Sequence, residues 1–346
     1  MAILPSQMQT LHSLIPGSRS AAVEDALVQT FNTIVLQEII LLTGGLSAAC
    51  VYKIVVNDQS YILKLADPAE VIHDHSCMEA AASAGIAPPV YYLNKATGIT
   101  ITGYIQQFPL QTAFKSPDIL LIELTKTIRG IHELPLFSKE NSLLDTVEGL
   151  ITEFKTSQML TGAAFDNCFA YYEVIKTHYP WYDSDRVSSH NDLNPNNMIF
   201  DGEKIWIIDW DAAFGNDRYV DLAIIANFFA AADQEEHLML ETYFGDNLNE
   251  YHKARFFIMR QICRIVYAML MFRLANSSKE DGGSHDPDMQ EATMAAVRKQ
   301  LMNGQLNLAE YRGQLLFGKA MLNEALNNMQ SARFDNCIKQ LINIIN

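Results

Sequence analysis

The sequence has few cysteines, few basic residues and no long run of uncharged apolar residues. Its five cysteines are scattered and include no C-x-x-C pair, so neither a disulfide framework nor a zinc site is indicated. The chain has 25 Lys and Arg against 40 Asp and Glu, and the resulting formal charge of -15 argues against nonspecific binding to nucleic acid or to an anionic membrane. We expect a protein of a reducing cytoplasm that binds neither.

The most apolar long stretch, residues 256–274, does not have the composition of a membrane span. It contains Arg260, Gln261, Arg264 and Arg273, so we expect a buried amphipathic helix there. The first 30 residues lack a basic segment followed by an apolar run, and we expect no signal peptide. A hydrophobic content of 49% over 346 residues predicts a soluble globular protein large enough for two lobes.

The most informative segment is H-N-D-L-N-P-N-N at residues 190–197, which is followed by I-D-W at residues 208–210. Phosphoryl transfer requires one carboxylate to orient the attacking hydroxyl, and oxygen ligands to hold magnesium on the phosphates. Asp192 fits the first role, while Asn197 and Asp209 fit the second. The spacing therefore predicts a phosphotransfer loop with its metal ligands.

The residues between these two motifs predict a β-hairpin. Two short apolar runs, 198–200 and 205–208, flank the turn formers Asp201 and Gly202. Such a hairpin would fold Asp209 back towards Asn197, where both could bind one magnesium ion. The alternative is that these residues are turn formers with no further role.

This arrangement resembles the aminoglycoside phosphotransferase and choline kinase superfamily, whose members carry H-G-D-x-x-P-x-N followed by I-D-W or I-D-F. The resemblance covers residues from about 34 to 275. It implies that Asp192 is the catalytic base, that Asn197 and Asp209 are the magnesium ligands, and that His190 braces the loop.

The sequence departs from the family pattern at two positions of the loop. Asn191 replaces the usual glycine, and Asn194 stands where many members have His or Lys. Further along, the resemblance implies that Asp221 returns to support the catalytic loop. An N-cap at Asp221, for a helix beginning at Leu222, is an equally good interpretation.

The region before residue 106 predicts a small antiparallel sheet. Three β-rich runs lie at residues 34–42, 51–56 and 61–66. The turn between the first two contains Gly44, Gly45 and Ser47, which would let backbone N–H groups approach nucleotide phosphates. Taken alone, such a turn is more often an ordinary hairpin connection.

Lys64 lies in the third of these runs, where a kinase lysine would contact the α and β phosphates. The alternative is a solvated lysine on an edge strand. A phosphate-binding lysine needs an acidic partner, and the helix predicted over residues 68–84 supplies Asp74, with Glu79 as its rival. A strand over residues 100–105 then makes Tyr104 part of the hinge that would meet the adenine.

The rest of the chain predicts helices. Ser116 and Pro117 begin one, residues 142–178 contain more, and the chain is mainly helical from residue 222. In the superfamily the region after residue 222 lines the acceptor pocket. Its aromatic and acidic residues could hold an amine by cation–π and charge contacts, although core packing explains the same residues.

We therefore expect an α+β protein with a bilobal protein-kinase-like fold, in which residues 1–106 form a nucleotide-binding lobe with a helical preface and residues 107–346 form a helical catalytic and substrate lobe. The resemblance implies magnesium-dependent transfer of the γ-phosphoryl group of ATP to a small-molecule hydroxyl. The expected acceptor is an amino alcohol such as choline, ethanolamine or thiamine. The alternatives are an aminoglycoside acceptor, or a kinase-like protein that binds nucleotide without catalysis. The oligomeric state, the base preference and the role of residues 289–346 are left open.

Overall fold

The chain passes three times between two structural units. In the computed structural model, the described residues are 14–42, 49–67, 76–138, 141–182, 185–279, 284–290 and 292–345. The first unit comprises Met1–Lys115 and Pro195–Ala213, and the second comprises Ser116–Asn194 and Phe214–Asn346.

This division differs from the single boundary expected after residue 106, because a later segment returns to the first unit. Ile207 donates its backbone N–H to the carbonyl of Ile86 at 2.9 Å, and Phe108 donates to the carbonyl of Phe200 at 2.8 Å. These backbone hydrogen bonds attach the predicted hairpin to the first unit, which therefore contains the residues on both sides of that hairpin.

The first unit is built on a small antiparallel sheet, as the sequence predicts, and this sheet has five strands. The elements of this unit are α1 (Gly17–Phe31), β1 (Glu38–Leu42), β2 (Cys50–Val56), β3 (Gln59–Leu65), α2 (Ser76–Ser83), β4 (Val90–Asn94), β5 (Ile99–Gly103), α3 (Leu110–Ala113), β7 (Met198–Phe200) and β8 (Ile205–Ile207). The strands of the sheet lie in the order β1-β2-β3-β5-β4.

Successive side chains along β2 and β3 point alternately into the core of this unit and towards the opposite, more polar face of the sheet. Ile54 and Leu63 are fully buried and pack in one cluster with Leu27 of α1. Because strand residues alternate between faces, Lys64 lies on the face opposite Leu63. It pairs with Val51 on β2 and with Thr100 on β5.

The second unit is mainly helical, with one short two-stranded ribbon. Its elements are α4 (Pro117–His132), α5 (Leu143–Ser157), α6 (Ala163–His178), β6 (Arg186–Ser189), β9 (Phe214–Asp217), α7 (Tyr219–Phe229), α8 (Asp233–Phe244), α9 (Glu250–Ser278), α10 (Met294–Met302), α11 (Tyr311–Met329) and α12 (Ala332–Ile345). The α+β class, with a small antiparallel sheet and a large helical part, is thereby confirmed.

The longest helix, α9, contains the apolar stretch that the sequence assigns to the protein interior. Two of the three arginines in that stretch are buried: Arg260 lies 2.8 Å from Glu236, and Arg264 lies 3.5 Å from Glu324. Arg273, the third, is exposed and lies 2.9 Å from Glu153. Across the residues that the structure describes, no helix is both long enough and apolar enough to cross a membrane.

The hairpin formed by β7 and β8 is closed by a single carboxylate. Asp201 accepts the backbone N–H groups of Glu203 and Lys204, each at 2.8 Å, and the indole N–H of Trp206 at 2.6 Å. Burial alone would raise the pKa of Asp201, but these donors outweigh burial and lower that pKa. The turn also uses Gly202, whose φ of 101° favours glycine.

We expect Asp201→Ala to lower the free energy of unfolding by about 1 kcal/mol, because three donors lose a charged acceptor. The lowered pKa means that this stabilisation is present above about pH 4 and is lost as the pH falls through the folded-state pKa. Urea titrations at pH 7 and at pH 3 should show the difference shrinking in acid. The exposed neighbour Glu203 provides the control: Glu203→Ala should change stability by less than about 0.5 kcal/mol. Equal losses in the two variants would refute the role of Asp201.

Candidate active site

In the first unit, the base of the hairpin brings the two predicted metal ligands next to each other in the backbone. Ile208 donates its N–H to the carbonyl of Asn197 at 3.0 Å. Asp209 follows with a φ of 62°, a left-handed conformation that Asp tolerates better than most residues. A short 3₁₀ helix, Trp210–Ala212, comes next and carries a further acid, Asp211.

The ammonium of Lys64 lies between two carboxylates. Its Nζ is 2.6 Å from Oδ1 of Asp209 and 2.7 Å from Oδ2 of Asp211. Burial by itself would lower the pKa of Lys64, but the two carboxylates outweigh burial and raise that pKa. The lysine therefore stays charged over the whole physiological range.

In the described part of the chain, Lys64 contacts two acids that the sequence analysis did not propose as its partners. Asp74 lies outside the described residues, and Glu79 lies in the first turn of α2 with an exposed side chain. The contacts that the structure shows come from Asp209 and from Asp211, which the sequence analysis did not single out. The sequence signal that could have indicated Asp211 is the second acid of D-W-D at residues 209–211.

The donor set of this unit suits magnesium. Asn197 and Asp209 supply hard oxygen atoms, and magnesium favours a few such ligands together with phosphate oxygens and water. Asp209 and Asp211 already direct one oxygen each at a single cation, the Lys64 ammonium. Within the described parts of the chain there is no cluster of three or more His, Cys, Asp or Glu side chains suited to a metal. A magnesium site formed by the amide of Asn197 and the carboxylate of Asp209 has fewer protein ligands than such a cluster, and one of them is an asparagine.

The nucleotide contacts expected of the glycine turn and of the hinge stay predictions as well. Gly44, Gly45 and Ser47 lie outside the described residues, although the flanking strands pair up to Leu42 and Val51, as in a hairpin. Tyr104 follows β5 and its backbone N–H lies 3.4 Å from the carbonyl oxygen of Ser60.

In the second unit, the carboxylate of Asp192 is held at both oxygens. The hydroxyl of Tyr267 donates to Oδ1 at 2.6 Å, and the side-chain amide of Asn194 donates to Oδ2 at 3.1 Å. The backbone N–H of Asp192 points to Nδ1 of the fully buried His190 at 3.3 Å. Asn194, the second departure from the family pattern, therefore contacts the carboxylate of Asp192.

Asn191, the first departure, occupies a left-handed conformation with a φ of 65°, which explains why glycine is usual there. Its side chain compensates with specific contacts. Its Oδ1 accepts from the hydroxyl of Ser189 at 2.9 Å and from the amide of Asn216 at 2.7 Å, and its Nδ2 donates to the Ser189 carbonyl at 3.2 Å. These bonds fix the loop in a left-handed conformation, which asparagine tolerates better than most residues other than glycine.

Asp221 holds this loop by hydrogen bonds to its backbone, and it is not the N-cap of helix α7. Helix α7 begins at Tyr219, so Asp221 lies inside the first turn and is fully buried. Its carboxylate accepts the backbone N–H groups of His190 at 2.9 Å and Asn191 at 2.8 Å, and it lies 3.1 Å from Nε2 of His132. Burial alone would raise the pKa of Asp221, but His132 and the amide of His190 lower it.

His132 is a residue whose role the sequence does not reveal. It ends helix α4, and its Nδ1 lies 2.6 Å from the hydroxyl of Tyr243, while its Nε2 faces Asp221. The imidazole is therefore a structural partner of the buried carboxylate.

Residues 38–257 match the model of a family described as the phosphotransferase enzyme family. The chain belongs to that family. The resemblance inferred from the catalytic loop is thereby confirmed.

Among curated proteins, this family member is similar to protein LicA of Haemophilus influenzae, with 32% identity over 96 residues. The alignment covers 27% of this chain and only 36% of LicA.

Solved structures show the same fold. A choline/ethanolamine kinase family protein from Mesorhizobium loti has a TM-score of 0.63 at 16% identity, covering 88% of this chain and 92% of that protein. A thermostable mutant of an aminoglycoside phosphotransferase has a TM-score of 0.56 at 13% identity, covering 89% of this chain and 100% of that protein.

We expect Asp221→Asn to lower the free energy of unfolding by about 3 kcal/mol, because it replaces a buried charge that accepts from two amides and faces His132. Chemical denaturation measures this loss. Asp246→Asn, an exposed aspartate in the same unit, is the matched control and should stay within about 0.5 kcal/mol of the wild type. A loss below about 1 kcal/mol for Asp221→Asn would show that the loop does not depend on this carboxylate.

Proposed function

We propose that this protein transfers the γ-phosphoryl group of ATP to the hydroxyl of a small amino alcohol. The observation that carries the proposal is the position of Lys64, whose ammonium contacts Asp209 across 145 residues of sequence. A partly exposed ion pair of this kind contributes little to stability. A lysine beside metal-binding carboxylates is, however, what phosphate binding requires.

In this proposal the first unit holds the nucleotide. Lys64 contacts phosphate oxygens, and Asn197 and Asp209 supply the metal ligands. The bound magnesium ion would neutralise charge on the transferring phosphoryl group. Asp211 shares Lys64 with Asp209, so it helps to set the position and the charge of the lysine.

Asp192 is then the base that receives the acceptor hydroxyl. In this proposal the acceptor hydroxyl donates a hydrogen bond to the carboxylate of Asp192, whose oxygens also accept from Tyr267 and Asn194. That bond would orient the acceptor hydroxyl towards the γ-phosphorus. Its proton passes to Asp192 as the new oxygen–phosphorus bond forms and ADP leaves, a contribution of roughly 10²–10⁴-fold in rate.

An aromatic cluster that includes Tyr267, the donor to this carboxylate, supports a cationic acceptor. The ring of Tyr267 meets Phe228 edge to face at 5.6 Å, and Phe228 stacks on Phe317 at 6.4 Å. Aromatic rings next to a carboxylate attract an ammonium group by cation–π and charge contacts. The similarity to the Mesorhizobium loti choline/ethanolamine kinase family protein supports the same substrate class.

An acceptor panel tests this proposal. ADP release with Mg-ATP should be measured with choline, ethanolamine, thiamine, an aminoglycoside, and 3,3-dimethyl-1-butanol, which has the shape of choline without its charge. We expect the best amino alcohol to exceed the neutral isostere by at least about tenfold in kcat/KM, because a desolvated cation–π contact contributes about 2 kcal/mol.

Three outcomes would contradict the proposal. Equal use of the neutral alcohol would exclude recognition of the cation. Phosphorylation of the aminoglycoside alone would assign the protein to the antibiotic-modifying branch. Nucleotide binding without transfer to any acceptor would indicate a kinase-like protein without catalysis.

A further inference from the structure

The hydroxyl of Tyr267 and the carboxylate of Asp192 form a short hydrogen bond between distant parts of the chain. The two residues are 75 positions apart, and the oxygens are 2.6 Å from each other. Burial and then the charge of Asp192 raise the pKa of Tyr267 well above its usual value. The phenol therefore keeps its proton and acts as a permanent donor.

The helix that carries Tyr267 is fixed by a buried polar network. Arg260, seven residues earlier on α9, donates to Oδ1 of Asn227 at 3.0 Å and to the carbonyl of Ala230 at 3.0 Å. Asn227 in turn donates to the carbonyl of Arg260 at 3.0 Å. These bonds join α9 to the end of α7, which carries Phe228, the residue that packs edge to face on the Tyr267 ring.

We infer that Tyr267 is a positioning residue that fixes the rotamer of Asp192 for the acceptor hydroxyl. The inference rests on the proposed function, because it takes Asp192 as the base. The phenol occupies one lone pair of Oδ1 and Asn194 occupies one of Oδ2, so the carboxylate cannot rotate freely. Tyr267 keeps its own proton throughout, and the acceptor proton goes to Asp192.

The test is Tyr267→Phe, which removes the donor and keeps the ring. We expect kcat on the best acceptor to fall about 10- to 100-fold, as for loss of a hydrogen bond to a charged group, while the KM for Mg-ATP stays within about twofold. The acid limb of the pH profile of kcat/KM should move to higher pH, because the lost donor favoured the charged form of the carboxylate. A merely structural tyrosine would not move that limb.

Tyr251→Phe is the matched control, since Tyr251 lies on the same helix and the substitution again removes only a hydroxyl. This control should keep the wild-type kcat and pH profile. A kcat for Tyr267→Phe within twofold of the wild type, with an unmoved acid limb, would overturn the inference while leaving the proposed function intact.

A second readout does not need an acceptor. Carboxyl carbon resonances of aspartate-labelled protein report the titration of Asp192, with Asp192→Asn identifying the signal. We expect the titration midpoint of Asp192 to lie at higher pH in Tyr267→Phe than in the wild type. An unchanged midpoint would refute the hydrogen bond even if no acceptor in the panel were phosphorylated, so failure of the inference and failure of the proposed function are distinguishable.

Discussion

A fully buried carboxylate organises the predicted catalytic loop. Asp221 has no contact with solvent, and a charge in that position is tolerated only when donors surround it. Two of those donors are consecutive backbone N–H groups, of His190 and Asn191, and a third is the imidazole of His132. The electrostatic requirement of one side chain therefore sets the direction of the backbone immediately before Asp192.

In the first unit, the proposed nucleotide site has more negative than positive charge. Two carboxylates, Asp209 and Asp211, share the single ammonium of Lys64. Carboxylates in excess of the lysine suit a divalent cation, and the lysine suits the phosphates that such a cation would accompany. The left-handed conformation of Asp209 belongs to the same arrangement, since conformations of this kind concentrate at functional sites.

Local chemistry explains which features the sequence predicts. The hairpin is recognisable because Asp201 and Gly202 are turn formers between two apolar runs, and strands β1 to β3 follow β-rich segments. The short spacing of His190, Asp192 and Asn197 likewise belongs to one loop. Each of these features depends on neighbours within a few residues.

Long-range partners were not predictable in the same way. Tyr267 reaches Asp192 across 75 residues, and His132 reaches Asp221 across 89. Nothing in the periodicity of α9 or α4 distinguishes these side chains from ordinary core residues. The contacts of Lys64 with Asp209 and Asp211 span 145 and 147 residues, and no local pattern around Lys64 indicates them. The return of residues 195–213 to the first unit also depends on backbone pairing that composition does not encode.

The most direct test of the central claim, that Asp192 is the base and Asp209 binds the metal-nucleotide complex, is calorimetric titration of Mg-ATP into Asp192→Asn and Asp209→Asn. Both substitutions remove one carboxylate and keep its shape. The assignment predicts that Asp192→Asn binds Mg-ATP within about threefold of the wild type, while Asp209→Asn loses at least about tenfold in affinity, or 1.4 kcal/mol. Equal losses of affinity in the two variants, or unchanged affinity in Asp209→Asn, would contradict it.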